Sequence, residues 1–238
     1  MLRSIKKLVR NTFNLFNIDI HRIPEHEKNK FVWLKGFGIR TVMDIGANVG
    51  QFAIQTGKFL PDVKIYSFEP LEYVYNQLIE KTKNIKNFHA FNVALGDFNG
   101  TTTIKRNKFS PSSSLLDMGN LHKEAFPFTE ETVDEKIIIR KLDDFIKDDN
   151  IEIKSEIMIK LDVQGYEDKV INGGKKTFMK AKVVITEVSF HELYKGQALF
   201  DEIYIMLQDL GFRYKGNINN SFHPQTGLPL FADAIFLK

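Results

Sequence analysis

The 238-residue sequence contains no cysteine, one tryptophan and only seven prolines. The lack of cysteine excludes disulfides, a thiolate nucleophile and cysteine-ligated zinc or iron–sulfur sites. No apolar run approaches the ~20 residues of a transmembrane helix, and the N-terminus lacks the apolar core of a secretory signal. Basic residues exceed acidic residues by only 33 to 30, which creates no strong field for nucleic acid. These absences predict a cytoplasmic protein that binds no nucleic acid.

The composition that remains is typical of a globular protein with a sizeable core. Hydrophobic residues make up 43% of the chain, charged residues make up 26%, and 21 residues are phenylalanine. Domains average roughly 150 residues, so a chain of this length favours one large domain with an appendage. We expect an N-terminal helical appendage over residues 1–38 and one domain over residues 39–238.

The first sixteen residues have the pattern of a basic amphipathic helix. Apolar residues recur at helical spacing from Leu2 to Phe16, and lysines and arginines lie around the opposite face. One interpretation is a cap that packs on the domain or on a second copy in a homodimer. The other is peripheral contact with an anionic membrane, at the inner face of the cell membrane.

From Thr41 onward, β-rich runs alternate with helical patterns, which predicts an α/β fold with a mostly parallel sheet and helices on both faces. The predicted strands are Thr41–Ile45, Lys64–Phe68, Phe88–Val93, Ile157–Asp162, Val183–Val188, Phe212–Lys215 and Phe231–Leu237. The predicted helices are Gly50–Phe59, Leu71–Lys81, Tyr166–Asn172 and Phe200–Leu210. Lys105–Asp134 and Gly216–Leu230 lack a regular pattern, and we expect them to be loops that close over a ligand.

A glycine-rich turn follows the first predicted strand. The segment Asp44–Phe52 reads D-I-G-A-N-V-G-Q-F. Because Gly46 and Gly50 have no Cβ, the backbone here could approach a ligand closely. The spacing matches neither a dinucleotide fingerprint nor a phosphate-binding loop, and Asp44 would repel a phosphate but attract an amine. The turn therefore favours a ligand with a cationic amine over NAD or a nucleoside triphosphate.

Two further turns follow the second and third predicted strands. Glu69 comes about 25 positions after Asp44, where doubly wound folds hold the ribose hydroxyls of an adenosine group. Asn92, Val93 and Ala94 could border an adenine ring, or form a plain turn before the next element. The order and spacing of these features together predict an adenosine-containing ligand.

Four motifs in order carry a family resemblance: D-I-G-A-N-V-G-Q-F, F-E-P, N-V-A-L-G-D and K-L-D-V-Q-G-Y-E. Over approximately Thr41–Glu187, the chain resembles the FkbM-type family of S-adenosylmethionine-dependent methyltransferases. The resemblance implies a class I methyltransferase (Rossmann-like) sheet of seven strands with the last antiparallel. It also implies methyl transfer mostly to hydroxyl oxygens of sugars, glycolipids or natural products. We therefore expect S-adenosylmethionine as cofactor and a small-molecule or glycan acceptor.

The resemblance also assigns residues to the cofactor. Carried over by position, these are Asp44, Gly46, Ala47, Asn48, Gly50, Glu69, Pro70, Asn92, Val93, Ala94 and Asp162. The glycine turn would surround the methionine part, Glu69 the ribose and residues 92–94 the adenine. The residue types suit this ligand, because carboxylates can meet its amine and diol and backbone donors its carboxylate.

The fourth motif provides the first catalytic candidates. Asp162 ends the fourth predicted strand, and this carboxyl edge faces the ligand crevice in an open α/β sheet. Lys160 alternates with Asp162 along the strand and could orient it or the acceptor. The structural alternative is that Asp162 caps the following helix.

Glu187 and His191 complete the catalytic candidates at the end of the fifth predicted strand. Four residues apart, they would share a face if a helical turn begins there. His191 could take a proton from an acceptor hydroxyl, or it could lie in a loop as a bystander. Asp162, Glu187 and His191 could also hold a magnesium or manganese ion, but we expect no metal.

The sequence thus predicts in-line transfer of a methyl group to an acceptor hydroxyl. Asp162, Glu187 and His191 would share orientation and proton removal. Transfer to nitrogen or carbon is an alternative within the same enzyme class. A non-enzymatic binding module of the same fold and an NAD-dependent oxidoreductase are the alternatives outside it.

Overall fold

The computed structural model describes residues 12–13 and 31–238. Contacts within the chain divide it into residues 1–33 and 34–238. The amphipathic helix predicted over residues 1–16 lies outside the described residues, apart from Thr12 and Phe13. Its two interpretations therefore stay predictions. Within the described part of the chain, no helix is long and apolar enough to cross a bilayer.

Ten strands form two sheets in residues 34–238. In chain order they are β1 (Thr41–Ile45), β2 (Lys64–Phe68), β3 (Phe88–Phe91), β4 (Ala94–Gly96), β5 (Gly100–Asn107), β6 (Thr132–Lys141), β7 (Ile157–Leu161), β8 (Ala181–Ser189), β9 (Arg213–Phe222) and β10 (Pro229–Leu237). The main sheet has the order β3-β2-β1-β7-β8-β10-β9. Its first five strands are parallel, and β10 runs antiparallel to both neighbours. The predicted seven-stranded sheet with an antiparallel last strand is confirmed.

Seven helices lie within the described residues. They are α1 (Gln51–Phe59), α2 (Glu72–Thr82), α3 (Asn120–Ala125), α4 (Leu142–Asp148), α5 (Glu167–Gly173), α6 (Lys175–Lys180) and α7 (Phe200–Asp209). Short 3-10 helices cover Val32–Phe37, Ser110–Ser112 and Pro127–Thr129. As the spacing predicts, α7 buries Ile203 and Leu207, and Gly211 follows its end at φ +89°.

The central strands are buried on both faces because the sheet is covered on both sides. All five residues of β1 are buried, as are four of the five in β2 and in β7. Such strands read as nearly continuous apolar runs in a sequence. The predicted bounds of β1 and β2 accordingly agree with the structure.

A second sheet occupies part of the segment expected to be a loop. Strands β4, β5 and β6 form it in the order β4-β6-β5. The prediction that all of Lys105–Asp134 is a loop is wrong at both ends, because β5 extends to Asn107 and β6 begins at Thr132. β5 has one apolar residue, Ile104, and it is a strand because all eight of its positions pair with β6.

The other expected loop, Gly216–Leu230, is mostly strand as well. β9 continues to Phe222 and β10 starts at Pro229, so a short turn over residues 223–228 joins them in a hairpin. This part of β9 is rich in asparagine and half exposed at the edge of the sheet. An edge strand needs no apolar run, which is why the sequence pattern did not predict it.

Candidate functional site

Five ionisable side chains share one face of the main sheet, at the carboxyl ends of its parallel strands. Residues paired in register point to the same face, and Asp44 on β1 pairs with Lys160 on β7. Asp162 lies two positions beyond Lys160, and Glu187 lies two positions beyond the β8 partner of Lys160. Asp233 on β10 pairs with Glu187. The sheet thus collects one lysine and four carboxylates at one edge, the predicted Asp162, Glu187 and Lys160 among them.

The glycine turn is shaped by close backbone packing. The N–H groups of Gly46 and Ala47 both donate to the carbonyl of Phe68, each at 3.0 Å. Gly46 has φ +76°, and a Cβ there would lie 1.8 Å from the carbonyl oxygen of Asp162. A Cβ at Gly50 would lie 2.8 Å from two side chains of α2. Neighbouring protein, rather than a ligand, therefore fills the space that both glycines leave.

Asp44 is a buried carboxylate with one unsatisfied oxygen. Its Oδ2 accepts a long hydrogen bond of 3.4 Å from Ser67, and its Oδ1 has no hydrogen-bond partner among the described residues. Burial raises the pKa of Asp44 to about 6, against the attraction of Lys160. A buried polar atom without a partner is costly, so this oxygen is suited to a donor on a ligand.

Glu69 is held by backbone donors at the end of β2. Its Oε2 accepts the N–H of Asn48 at 3.0 Å, and its Oε1 accepts the N–H of Leu71 at 2.9 Å. Burial raises the pKa of Glu69 to about 7, although both N–H groups oppose the shift. Each oxygen accepts one hydrogen bond and has a lone pair for another, which suits two adjacent hydroxyls.

Asn92 acts on the Glu69 turn. Its amide donates to the carbonyls of Glu69 and Pro70, at 2.9 Å each. Val93 and Ala94 are buried in hydrophobic clusters. Contact with an adenine through residues 92–94 would therefore involve backbone or the Asn92 carbonyl oxygen, rather than the apolar side chains.

Lys160 and Asp162 form an ion pair at the end of β7. Lys160 Nζ donates to Asp162 Oδ2 at 2.6 Å. Burial alone would raise the pKa of Asp162, but Lys160 and a hydrogen bond from Gln164 hold it below its ordinary value. Burial would lower the pKa of Lys160, but Asp162 and Asp44 raise it. Both groups are charged at neutral pH, and the oxygens of Asp162 contact side chains rather than the backbone of α5.

Gln164 joins the carboxylates to a tyrosine. Its Nε2 donates to Asp162 Oδ1 at 2.8 Å and lies 3.3 and 3.4 Å from the oxygens of Glu187. Its Oε1 accepts the hydroxyl of Tyr194 at 2.9 Å, and its backbone carbonyl accepts the hydroxyl of Ser114 at 2.6 Å. Gln164 has φ +54°, an unusual conformation for a residue with a side chain. These hydrogen bonds hold one amide in a single orientation.

Glu187 differs from Asp162 in its protonation. Burial raises the pKa of Glu187 well above its ordinary value, and the charges of Asp162, Glu167 and Asp233 raise it further. Burial and the neighbouring carboxylates therefore favour the protonated form of Glu187. Glu167 points back to the start of its helix, where its Oε1 accepts the N–H of Val163 at 3.0 Å. Its pKa is raised to about 7 by burial.

His191 is placed differently from the expectation. Glu187 lies inside β8, which ends at Ser189, and His191 lies in the bend that follows. This segment contains no helical turn, so the expectation that Glu187 and His191 share a face of such a turn is wrong. His191 is half-buried and makes no hydrogen bond with the described residues.

Sequence reasoning missed three contributors to the site. Gln164 belongs to the fourth motif, and its position directly after the Asp162 strand is the signal that could have identified it. Tyr194 and Asp233 come from distant segments that the sequence does not connect to Asp162. In the part of the chain that the structure describes, no group of three or more histidine, aspartate and glutamate side chains is arranged to hold a metal ion.

Comparisons with known proteins agree with this architecture. Residues 44–214 match a family model described as the methyltransferase FkbM domain. The chain is 30% identical over 167 residues to 2-O-methyltransferase NoeI of Sinorhizobium fredii (strain NBRC 101917 / NGR234), a match that covers 66% of each chain. It is also similar in structure to methyltransferase FkbM from Methylobacillus flagellatus KT, with a TM-score of 0.52 at 11% identity. That match covers 84% of this chain and 44% of the other, so this chain spans less than half of that structure and about two thirds of NoeI.

Proposed function

Because the chain belongs to the methyltransferase FkbM domain family, we propose that it transfers a methyl group from S-adenosylmethionine to a hydroxyl oxygen of a sugar, glycolipid or natural product. The relative NoeI is a 2-O-methyltransferase, which supports oxygen as the methylated atom. One observation carries the cofactor assignment. Asp44 and Glu69 are buried acids at neighbouring strand ends, and both have oxygens with room for donors.

The donor set fits S-adenosylmethionine. Asp44 Oδ1 would accept from the amino group of its methionine part, which satisfies an oxygen that has no partner among the described residues. The two oxygens of Glu69 would accept the two ribose hydroxyls. Asn92 keeps the Glu69 turn in place through its hydrogen bonds to two carbonyls.

When bound, S-adenosylmethionine supplies a methyl group that positive charge on sulfur has already activated. The residues of the chain must therefore align the acceptor and remove one proton. Asp162 is ionised, and Lys160 and Gln164 fix its two oxygens, so it is suited to orient an acceptor hydroxyl. Burial and neighbouring charges favour the protonated form of Glu187, and that form is suited to donate a hydrogen bond.

His191 is the proton acceptor in this proposal. Its imidazole makes no hydrogen bond with the described residues, whereas Lys160 and Gln164 already donate to the oxygens of Asp162 and burial favours the protonated form of Glu187. We expect His191→Ala to lower kcat at least 10-fold and leave the affinity for S-adenosylhomocysteine unchanged. His89→Ala, on the exposed side of β3, is the control and should keep both values. Normal turnover of His191→Ala would assign the proton to another group.

Calorimetric titration with S-adenosylhomocysteine tests the cofactor site without an acceptor. Thermal unfolding gives a second measure of binding. S-adenosylhomocysteine at 100 times its Kd adds about 2.7 kcal/mol to the free energy of unfolding, which raises Tm by several degrees for a chain of this size. Asp44→Asn and Glu69→Gln should weaken binding at least 10-fold, because each removes an acceptor oxygen. Glu80→Gln is the matched control, since Glu80 is exposed and pairs only with Lys83 among the described residues. Stabilisation by NAD instead of S-adenosylhomocysteine would favour an oxidoreductase.

A second experiment tests the reaction. Protein is incubated with methyl-tritiated S-adenosylmethionine and a carbohydrate fraction, and the labelled product is hydrolysed and examined for O-methyl sugars. Label in an O-methyl sugar supports the proposal, and its loss in Asp162→Asn would support the role of that carboxylate. Binding of S-adenosylhomocysteine without transfer to any acceptor would favour a non-enzymatic binding module.

A further inference from the structure

A cavity of about 270 Å³ lies next to the carboxylate edge. It is lined by Glu130 and by residues of β5, β6, α3 and the segments 112–118 and 194–195. Nine of the eleven lining residues are polar, and the two apolar ones are Leu116 and Met118. A cavity with this lining favours a ligand that makes many hydrogen bonds over an apolar ligand.

Gln164 connects the wall of this cavity to the candidate catalytic residues. Tyr194 lines the cavity, and its hydroxyl donates to Gln164 Oε1 at 2.9 Å. Ser114 also lines the cavity and donates to the Gln164 carbonyl at 2.6 Å. The other end of the Gln164 amide contacts Asp162 and Glu187. The wall formed by Ser114 and Tyr194 is therefore joined to the ionised carboxylate of Asp162 through one residue, Gln164.

The charges around the cavity are largely paired with one another. Lys105 Nζ lies 2.8 Å from Asp134, and Lys123 Nζ lies 3.4 Å from Glu130. Lys195 forms no ion pair with the described residues, so its ammonium group is a donor with capacity for a ligand. Paired charges and hydroxyls present both donors and acceptors without a strong net charge. That arrangement suits an uncharged polyol.

The size of the cavity limits the ligand further. Pockets for drug-sized ligands range from about 300 to 1,000 Å³. At about 270 Å³, this cavity is below that range and suits one ring rather than an oligosaccharide. The ring of Tyr194 is buried and packs against His122, with centroids 5.0 Å apart, so the wall toward Gln164 is well supported.

We propose that this cavity binds one uncharged sugar ring of the acceptor, with the reacting hydroxyl directed past Tyr194 toward Asp162. The proposal rests on the proposed methyl transfer for its biological meaning. It also makes Tyr194 a specificity-determining residue, because the wall that it forms decides which hydroxyl of the ring can reach Asp162.

The test measures binding of methyl glycosides by saturation-transfer NMR, with and without S-adenosylhomocysteine. The probes are the methyl glycosides of glucose, galactose, mannose, fucose and N-acetylglucosamine, and methyl glucuronate as a charged comparison. Thr132→Trp fills the cavity from β6. The control is Val133→Trp, because Val133 is exposed on the opposite face of the same strand and does not line the cavity.

We expect at least one neutral glycoside to bind, Thr132→Trp to weaken that binding at least 10-fold, and Val133→Trp to leave it unchanged. Lys195→Met should weaken it several-fold, and Lys81→Met, on the exposed side of α2, should not. Equal binding to Thr132→Trp would overturn the location. Binding of no neutral glycoside, or stronger binding of the glucuronate, would overturn the ligand class. If the wild-type protein binds a neutral glycoside but no S-adenosylhomocysteine, the proposed function is contradicted, while the assignment of the cavity to a sugar ring is still supported.

Discussion

Replacing Gly46 by alanine tests whether the glycine turn depends on close packing of β1 against β7. The backbone at Gly46 has φ +76°, and the added Cβ would lie 1.8 Å from the carbonyl oxygen of Asp162. Gly196 provides a matched control, because it has φ +73° and a Cβ there would meet nothing within 4 Å. The two substitutions share the conformational cost and differ only in the steric clash.

The magnitude follows from the geometry. Placing an L-residue in the left-handed region costs roughly 1–2 kcal/mol, which applies to both alanines. At Gly46 the Cβ and the carbonyl oxygen must also separate by more than 1 Å to reach the 3.0 Å limit of real contacts. Overpacking of that kind costs about 1–3 kcal/mol or more. We therefore expect Gly46→Ala to lose about 2–5 kcal/mol and Gly196→Ala about 1–2 kcal/mol.

Thermal unfolding and calorimetric titration measure the two consequences. For a chain of this size, 1 kcal/mol corresponds to about 2–4 °C in Tm, so the overpacking cost of about 1–3 kcal/mol should make Gly46→Ala melt about 2–12 °C below Gly196→Ala. The clash also displaces Asp162 from Asp44, so Gly46→Ala should bind S-adenosylhomocysteine at least 10-fold more weakly. The reasoning fails if the two variants melt within 2 °C of each other, or if Gly46→Ala keeps the affinity of the wild type.

Three further predictions concern polar side chains and their hydrogen bonds. His122→Phe should raise stability by about 1–3 kcal/mol, measured by urea unfolding, because both ring nitrogens of His122 lack a hydrogen-bond partner among the described residues. Burial lowers the pKa of His122 to about 4, so below about pH 6.5 the unfolded chain binds a proton at His122 that the native chain does not, and the native state loses stability. The stability gained by His122→Phe should therefore be larger at pH 5 than at pH 8, and an equal gain at both would contradict this. Burial raises the pKa of Glu69 and Glu167 to about 7, so these carboxyls favour the native state most below about pH 4.5 and their contribution is lost as pH rises through 7. Glu167→Gln should therefore flatten the decline in Tm between pH 5 and 8, and an unchanged slope would argue against the shift. Asn92→Ala should cost about 1–2 kcal/mol and weaken S-adenosylhomocysteine binding, and an unchanged affinity would show that the Glu69 turn holds without the amide.

Much of the fold can be predicted from the sequence because the central strands are buried along nearly their whole length. β1 and β2 are buried on both faces, so their apolar runs and their ends appear directly in the residue pattern. β5 and the end of β9 are different, because backbone pairing with a neighbour makes them strands while their side chains remain polar. A pattern that depends on side chains cannot reveal such strands.

The candidate site divides in the same way. Lys160 and Asp162 alternate at the end of one strand, and Asp44 and Glu69 lie at the ends of two others, so the sequence by itself determined which carboxylates end parallel strands. Only the tertiary structure decided that Gln164 bridges Asp162 to Tyr194, thirty positions further along the chain. The burial that raises the pKa of Glu187 and the Lys160 charge that lowers the pKa of Asp162 are likewise properties of the folded chain. Residue type and spacing depend on local order, whereas protonation and hydrogen-bond partners depend on what distant segments bring to the same place.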